Sequence, residues 1–397
     1  MPAWLWTWIV LVGLAGLVWT SRHFMISAHQ RRADALTPDS PGAGPDAPLV
    51  SVLVSAKDEE ANIAACISSM LAQDYPDFEM IVCNDRSSDR TGRIVADLAR
   101  QDDRLRLVEV HHLPEGWSGK CHGMYTAACA ARGDWLCMTD ADCRQLSPRT
   151  LSAAMRYARD SRADLLSVLP VLEMKGFWEN VVQPVCSGVM MIWFHPDRVN
   201  DPARRAAYAN GAFMLMRRGA YEVVGTHQAI RHRLMEDLHL AARVKQAGLR
   251  LRVVRGDGLY VVRMYTSFGQ ILRGWSRIFF GTFGTLPRLS ASIAIMFCMG
   301  LLPYISAAVG FALAAAGGPH AGLWLGLGGV GAAAAAMQLS VIYRFYRFIG
   351  ARADLAWTYP LGCAVTLAAL GMSLSKHRPG ARVVWRGTTY SGASQKS

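Results

Sequence analysis

Several acids in this chain stand where apolar runs stop. Asp140 and Asp142 close the run "DWLCMTDAD" (134–142) as a D-x-D pair, and Asp85 ends "FEMIVCND" (78–85). Asp58, Glu59 and Glu60 follow "LVSVLVSA" (49–56), and Glu236 and Asp237 open "MEDLHLAARVKQAG" (235–248). Hard divalent cations take oxygen ligands, and Mg2+ commonly uses one or two carboxylates completed by substrate phosphates and water. Asp142, with Asp140 shared between metal and ribose, therefore suits a Mg2+ or Mn2+ ion neutralising a diphosphate. Asp85 and Glu59 are placed to accept hydrogen bonds from a base or ribose. Lys120, in "GWSGKCHG" (116–123), begins a helix after a Gly-rich turn, and a cation at a helix N-terminus suits phosphate. Each feature also has a plain reading: a solvated turn for D-x-D, an exposed helix start for Lys120. Glu236 and Asp237 can complement the dipole at a helix start, or Asp237 can be a general base taking a proton from an attacking hydroxyl. The residues alone leave both readings open. Concentration of acids at strand ends, in a chain of formal net charge +12, favours a shared site.

The elements that must position these residues alternate. After the strand at 49–56, residues 60–72 carry Ile63, Ile67, Met70 and Leu71 at helical spacing. Strands at 78–85, 105–110 and 134–139 are separated by helices at 90–100 and 120–132. That order predicts an α/β fold with a mainly parallel, Rossmann-like sheet. Such sheets bind ligands beyond the carboxyl ends of their strands, so Asp58, Asp85 and Asp140 are expected to converge on one crevice. The domain spans 49–266, preceded by a Pro/Gly/Ala/Asp-rich linker over 22–48 and followed by an amphipathic interface segment over 267–288.

The 397 residues are 52% hydrophobic and only 18% charged, which points to a soluble domain joined to membrane segments. Residues 3–20 carry no charge, and 289–319, 321–343 and about 355–375 are apolar. A span needs ~20 apolar residues. The first segment lacks a basic start and a small-x-small cleavage site, so 1–21 reads as a retained anchor in preference to a signal peptide. Arg22, Arg31 and Arg32 behind it place the catalytic domain on the cytoplasmic side of the inner membrane, with membrane segments over 289–376 and a tail at 377–397. Four spans would leave the C-terminus outside, whereas the basic "SKHRPGARVVWRG" prefers the cytoplasm, so either 355–375 is interfacial or re-entrant or the chain has a different number of spans. The bases cluster beside apolar segments, which argues for an anionic bilayer surface and an anionic substrate and against nucleic acid. Nine scattered cysteines without a C-x-x-C pair argue against a disulfide framework or structural zinc.

Two apparent motifs fail on context. "GLGGVG" (326–331) lies within an apolar stretch and fits close helix packing better than nucleotide binding. His227, His232 and His239 surround Glu236 without H-E-x-x-H spacing. The segment 176–195 is apolar but broken by Glu179, Asn180 and Pro184, and is read as interfacial or acceptor-lining.

Taken together, "VSAKDEE", "CNDRSSDRT", "PEGWSGK", "TDAD", "YANGAFMLMRRGAY", "MEDLHLAARVKQAG" and "WRGTTY" resemble the membrane-bound family 2 glycosyltransferases of GT-A fold, in particular the ceramide glucosyltransferase-like, hopene-associated and carotenoid glycosyltransferases. The resemblance implies that Ala56, Glu59, Asp85, Lys120 and Asp140 bind a nucleotide-sugar donor, with a UDP-sugar first in line. It implies Asp140 and Asp142 as metal ligands, and Asp237 as the base of an inverting displacement. Asn210 and Gly211 of "YANGAF", with Gln270, Arg273 and Trp275 of "QILRGW", are implied to bind a membrane lipid acceptor through a hydroxyl or carboxyl group. Gly274 shifts the tryptophan one place from the family's Q-x-x-R-W, and "AKDEE" replaces the commoner A-R-N-E-E. The rival readings are a processive polysaccharide synthase, which needs an intact Q-x-x-R-W, and a catalytically inactive membrane scaffold.

Overall fold

The computed structural model describes residues 3–32, 34–378, 382–385 and 388–391. In chain order, α1 (Ala3–Arg32) precedes β1 (Ala35–Leu36), β2 (Val50–Ala56), α2 (Ile63–Leu71), β3 (Phe78–Asp85), α3 (Thr91–Ala99), β4 (Leu105–Val110), α4 (Gly119–Ala130), β5 (Trp135–Asp140) and β6 (Cys143–Gln145). Next come α5 (Thr150–Asp160), β7 (Leu165–Leu169), β8 (Val171–Leu172), α6 (Phe177–Trp193), α7 (Pro196–Asn200), β9 (Met214–Arg217), α8 (Arg218–Val223), α9 (Glu236–Gln246), β10 (Leu251–Gly256) and β11 (Tyr260–Val262). The remainder is helical: α10 (Phe268–Phe283), α11 (Leu286–Ile295), a π-helical stretch (Met296–Leu301), α12 (Leu302–Ala315), α13 (Ala321–Phe348), a 3-10 turn (Ala353–Thr358) and α14 (Tyr359–Ser375), before the strands β12 (Arg382–Trp385) and β13 (Thr388–Ser391).

Eight strands form one sheet in the order β1-β10-β7-β9-β5-β2-β3-β4. Every pairing in it is parallel except those of β9, which runs antiparallel to both β5 and β7. The near-continuous Val, Leu, Ile and Met runs of β2, β3 and β5 suit strands buried on both faces. One apolar cluster, with Ile67, Met80 and Met155, fills one side of the sheet, and a second, with Met124, Met138 and Leu240, fills the other. Because β9 is antiparallel, the loop before it arrives at the edge where β2, β3 and β5 end. That brings Asn210–Ala212 to the same place as the acids.

The segment expected as a linker, 22–48, is ordered differently. Its first part continues α1 to Arg32, and Ala35 and Leu36 extend the sheet by pairing with Arg255 and Gly256. The apolar stretch is thus the first part of a 30-residue helix. Among the described residues, four helical stretches are long and apolar enough to cross a membrane: Ala3–Ser27, Leu286–Ala315, Ala321–Phe348 and Ala353–Ser375. Within α13, Gly328 packs on Phe311 and Gly331 on the Pro303–Ala307 backbone, where a Cβ would collide. "GLGGVG" is therefore a helix-packing seam. Of "WRGTTY", Arg386 and Gly387 lie outside the described residues, while β12 and β13 on either side pair antiparallel.

Candidate active site

β3 and β5 stop side by side on the two flanks of β2, so their last residues face one crevice. Asp85, the final residue of β3, is buried and grips Arg86 through two hydrogen bonds, Nε to Oδ1 at 2.7 Å and Nη2 to Oδ2 at 3.0 Å. Arg86 has φ +55°, a left-handed turn that folds its side chain back onto its neighbour. Opposite it, α4 begins with the Ser118 hydroxyl accepting from the Cys121 N–H. Gly119 leaves room there for the Asp85 carboxylate, which a Cβ would strike.

One residue further on, Lys120 Nζ lies 2.6 Å from Asp140 Oδ1 and 2.6 Å from Glu236 Oε1. It joins the end of β5 to the start of α9. Asp237 follows, its Oδ2 accepting the Gly211 N–H at 3.0 Å and its Oδ1 accepting the Leu238 N–H at 2.8 Å. A Cβ on Gly211 would stand 3.0 Å from Lys120 Nζ, so glycine lets the backbone come this close. Asn210 shapes the same loop: its N–H donates to Ser167 Oγ, and its Oδ1 accepts the Ala212 N–H.

The electrostatics follow from three carboxylates around one ammonium. Burial opposes the Lys120 charge, yet Asp140, Glu236 and Asp237 together hold it well above the usual lysine value. Burial pushes Glu236 up to about 7 against the pull of Lys120. Asp237 also moves up, by burial first, with Lys120 and its two backbone hydrogen bonds opposing. The adjacent acids titrate as a pair, and a carboxylate whose proton affinity is raised by burial is better suited to accept a proton.

Asp140 and Asp142 both line the crevice, and Asp140 already faces a cation in Lys120. No group of three or more His, Cys, Asp or Glu side chains able to hold a metal occurs among the described residues. Two carboxylates without a third protein ligand fit a Mg2+ or Mn2+ ion that takes its remaining ligands from phosphate and water.

The crevice continues beyond the acids as one cavity of about 1280 Å3. Tyr208, Met190, Met191 and Phe194 line its middle, and Gln270, Arg273 and Trp275 of α10 line it too. Gly274 lies under Tyr265 with no room for a Cβ, and Trp275 is buried, its ring tilted against Phe279 with centroids 5.4 Å apart. The shifted tryptophan thus still reaches the cavity wall. At the far end the lining comes from Arg22 and Ile26 of α1 and from Val341, Phe345 and Phe348 of α13.

Not every expected acid converges. Asp58 accepts from Ser88 N and Oγ, Glu60 N donates to Asp89, and Asp89 also caps the start of α3 through the Thr91 N–H. These three stitch two loops together and do not line the cavity. Glu59 does line it, whereas Ala56 is buried at the end of β2 and does not. Two participants were hidden in the sequence, Arg86 and Glu236 as a Lys120 partner, whereas Tyr208 opens the "YANGAF" motif expected to shape the acceptor pocket. Glu236 alone carried a signal, through its adjacency to Asp237. His227 is a core residue hydrogen-bonded to Tyr221 Oη at 2.8 Å.

A mainly parallel sheet with acids gathered at its carboxyl edge is the GT-A arrangement. The solved mannosyltransferase PcManGT from Pyrobaculum calidifontis, in complex with GDP-Man and Mn2+, has a similar fold, with TM-score 0.55 and 21% identity over 92% of this chain and 100% of that one. Residues 51–225 match the profile of Glycosyl transferase family 2, and the chain carries a domain of that family. Among curated proteins, a beta-monoglucosyldiacylglycerol synthase from Trichormus variabilis is 28% identical over 181 residues, 45% of this chain and 37% of that protein. A GalNAc(5)-diNAcBac-PP-undecaprenol beta-1,3-glucosyltransferase from Campylobacter jejuni is 32% identical over 117 residues, 29% of this chain and 36% of that one. The chain thus spans well under two thirds of the length of these curated relatives.

Proposed function

We propose that this protein is an inverting glycosyltransferase of the inner membrane, its catalytic domain cytoplasmic, moving a sugar from a nucleotide-sugar donor to a hydroxyl or carboxyl group of a lipid acceptor. One observation carries the reading: a single cavity is lined at one end by Asp85, Lys120, Asp140, Asp142 and Asp237, and at the other by α1 and α13, helices long and apolar enough to cross a membrane. A water-soluble acceptor would have no need of that second wall. The relatives whose names include diacylglycerol or undecaprenol point the same way.

In this scheme Asp85 and Glu59 orient the nucleoside. Asp140 and Asp142 hold the divalent ion, which when bound offsets charge on the diphosphate. Asp237 accepts the proton of the acceptor hydroxyl. The freed oxygen bonds to the anomeric carbon from the face opposite the phosphate, the carbon–phosphate-oxygen bond breaks, and the nucleoside diphosphate leaves with the electron pair. Lys120 stabilises the charge that grows on that leaving group. Gln270, Arg273 and Trp275, with Asn210 and Gly211, line the acceptor's approach.

The test uses the full chain in lipid vesicles, with UDP-glucose, UDP-N-acetylglucosamine and GDP-mannose offered in turn with Mg2+ or Mn2+. A lipid-extractable, labelled product of inverted anomeric configuration is expected. Transfer only to water, or a product of retained configuration, overturns the proposal.

A further inference from the structure

By length and composition Ala353–Ser375 qualifies as a fourth span, but its contacts are those of a helix lying along the membrane. α14 runs parallel to α6: Gly362 abuts the Val181 carbonyl, and four residues on, Thr366 Oγ1 meets Cys186 Sγ at 3.4 Å. Both ends of α6 are fastened to the catalytic domain. Glu179 is bound by Arg263 at 2.9 Å, and beyond the C-terminal end Asn200 donates to the Val253 carbonyl of β10 at 2.9 Å.

The two ends of α14 meet that domain and the α10 segment that follows it. Before it, Arg352 N donates to Asn180 Oδ1, Gly350 sits against Val171, and the Arg255 guanidinium of β10 stacks 3.7 Å above the Phe348 ring. At its other end Ser373 Oγ donates to the Ser276 carbonyl at 2.6 Å, Lys376 Nζ donates to Ser276 Oγ at 2.7 Å, and the His377 ring stands 4.9 Å from Phe280. Those partners belong to α10, whose Gly281 packs on Met235, the residue before Glu236. A helix crossing ~30 Å of hydrocarbon cannot have both ends touching one side.

Its faces agree. Gly362, Thr366, Leu370 and Ser373 are buried against α6 and α10, while Trp357 (68% exposed), Leu361, Ala364, Ala368 and Met372 form an exposed apolar stripe at steps of three and four. Exposed Arg352 and Arg378 flank that stripe, where anionic headgroups attract base.

We propose that α14 is an in-plane helix resting its apolar stripe in the inner leaflet, so that α1, the continuous α11–α12 helix and α13 are the crossings and residue 378 lies on the catalytic side. The inference rests on the membrane reading above. It also reconciles the basic "SKHRPGARVVWRG" with the cytoplasm.

The experiment places a single reactive cysteine in the full chain, with exposed Cys129 and Cys298 replaced by serine. Pro319→Cys marks the turn between α12 and α13, and Arg378→Cys marks the end of α14. In sealed vesicles of both orientations, a membrane-impermeant maleimide is expected to reach residue 319 only in right-side-out vesicles and residue 378 only in inside-out ones. Labelling of both from the same side overturns the in-plane assignment and leaves the membrane reading intact. Release of the protein by alkaline carbonate overturns both. The unsubstituted chain gives a second readout: C-terminal green fluorescent protein should glow in cells and C-terminal alkaline phosphatase should stay inactive, and the reverse pattern also defeats the proposal.

Discussion

Glu79 and Glu236 are both buried acids of one domain, and they live under opposite conditions. Glu79, near the amino end of β3, accepts from Ser51 Oγ at 2.7 Å and from the Arg132 N–H at 2.6 Å, and is paired to Arg106 and Arg132. Burial works against its charge, but these hydrogen bonds win and its pKa falls below the usual value. Glu236, beyond the carboxyl ends of the strands, has one side-chain cation, Lys120, shared with Asp140, and burial lifts it to about 7. Glu79 is held charged by several donors at once, whereas Glu236 depends on one ammonium that it shares with Asp140.

The sharpest way to break this contrast is Asp237→Asn. It should lower turnover by about 10²–10⁴-fold, the usual worth of a general base, while donor binding by calorimetry stays unchanged. Near-normal turnover would remove Asp237 from its role. Next is Lys120→Ala, which leaves Asp140 and Glu236 facing each other without a cation. Breaking a fully buried pair costs ~3–5 kcal/mol; because Lys120 and Asp140 are partly exposed, about 1–3 kcal/mol is expected in urea unfolding, and Mn2+ should restore part of it. Glu79→Gln should cost about 1–2 kcal/mol through weakened charged hydrogen bonds, with turnover per folded molecule unaltered; a loss of turnover at equal stability would erase the distinction between the two ends.

The smallest effect is a pair of opposite pH slopes. Glu79 has a depressed folded pKa, so its contribution is present above the ordinary 4.5 of a free glutamate and is lost as pH falls through the folded value. Glu236 has a raised one, so its contribution is full below 4.5 and is lost as pH rises towards about 7. Melting temperature against pH should flatten on the acid side in Glu79→Gln and between pH ~4.5 and ~7 in Glu236→Gln. Identical profiles in both variants would sink the comparison.

Much of this was legible in the sequence, because strand and helix periodicity are local. The runs ending at Ala56, Asp85 and Asp140 were read to within a residue of their observed limits, and the mainly parallel character of the sheet followed from alternation. What could not be read depended on chain reversal. Arg86 pairs with Asp85 only through a positive φ, and Asp58 looks like a site acid until the loops it joins are seen together. The span pattern of 353–375 is equally local, and apolar length cannot distinguish a helix across a bilayer from one along it. The linker misread has the same root: Arg22 to Arg32 is polar enough to resemble a connector, yet it continues α1.

That continuation sets a height. At 1.5 Å per residue, the 30 residues of α1 make a rod of about 45 Å, roughly 15 Å more than the hydrocarbon layer. His23 meets Ser340 at 2.9 Å and Arg344 reaches Ser27, so the rod is braced against α13. β1 starts at Ala35, almost at once after α1 ends at Arg32, which leaves little slack. The domain therefore follows a long helix that is braced along α13 and joined to the sheet with almost no connecting chain.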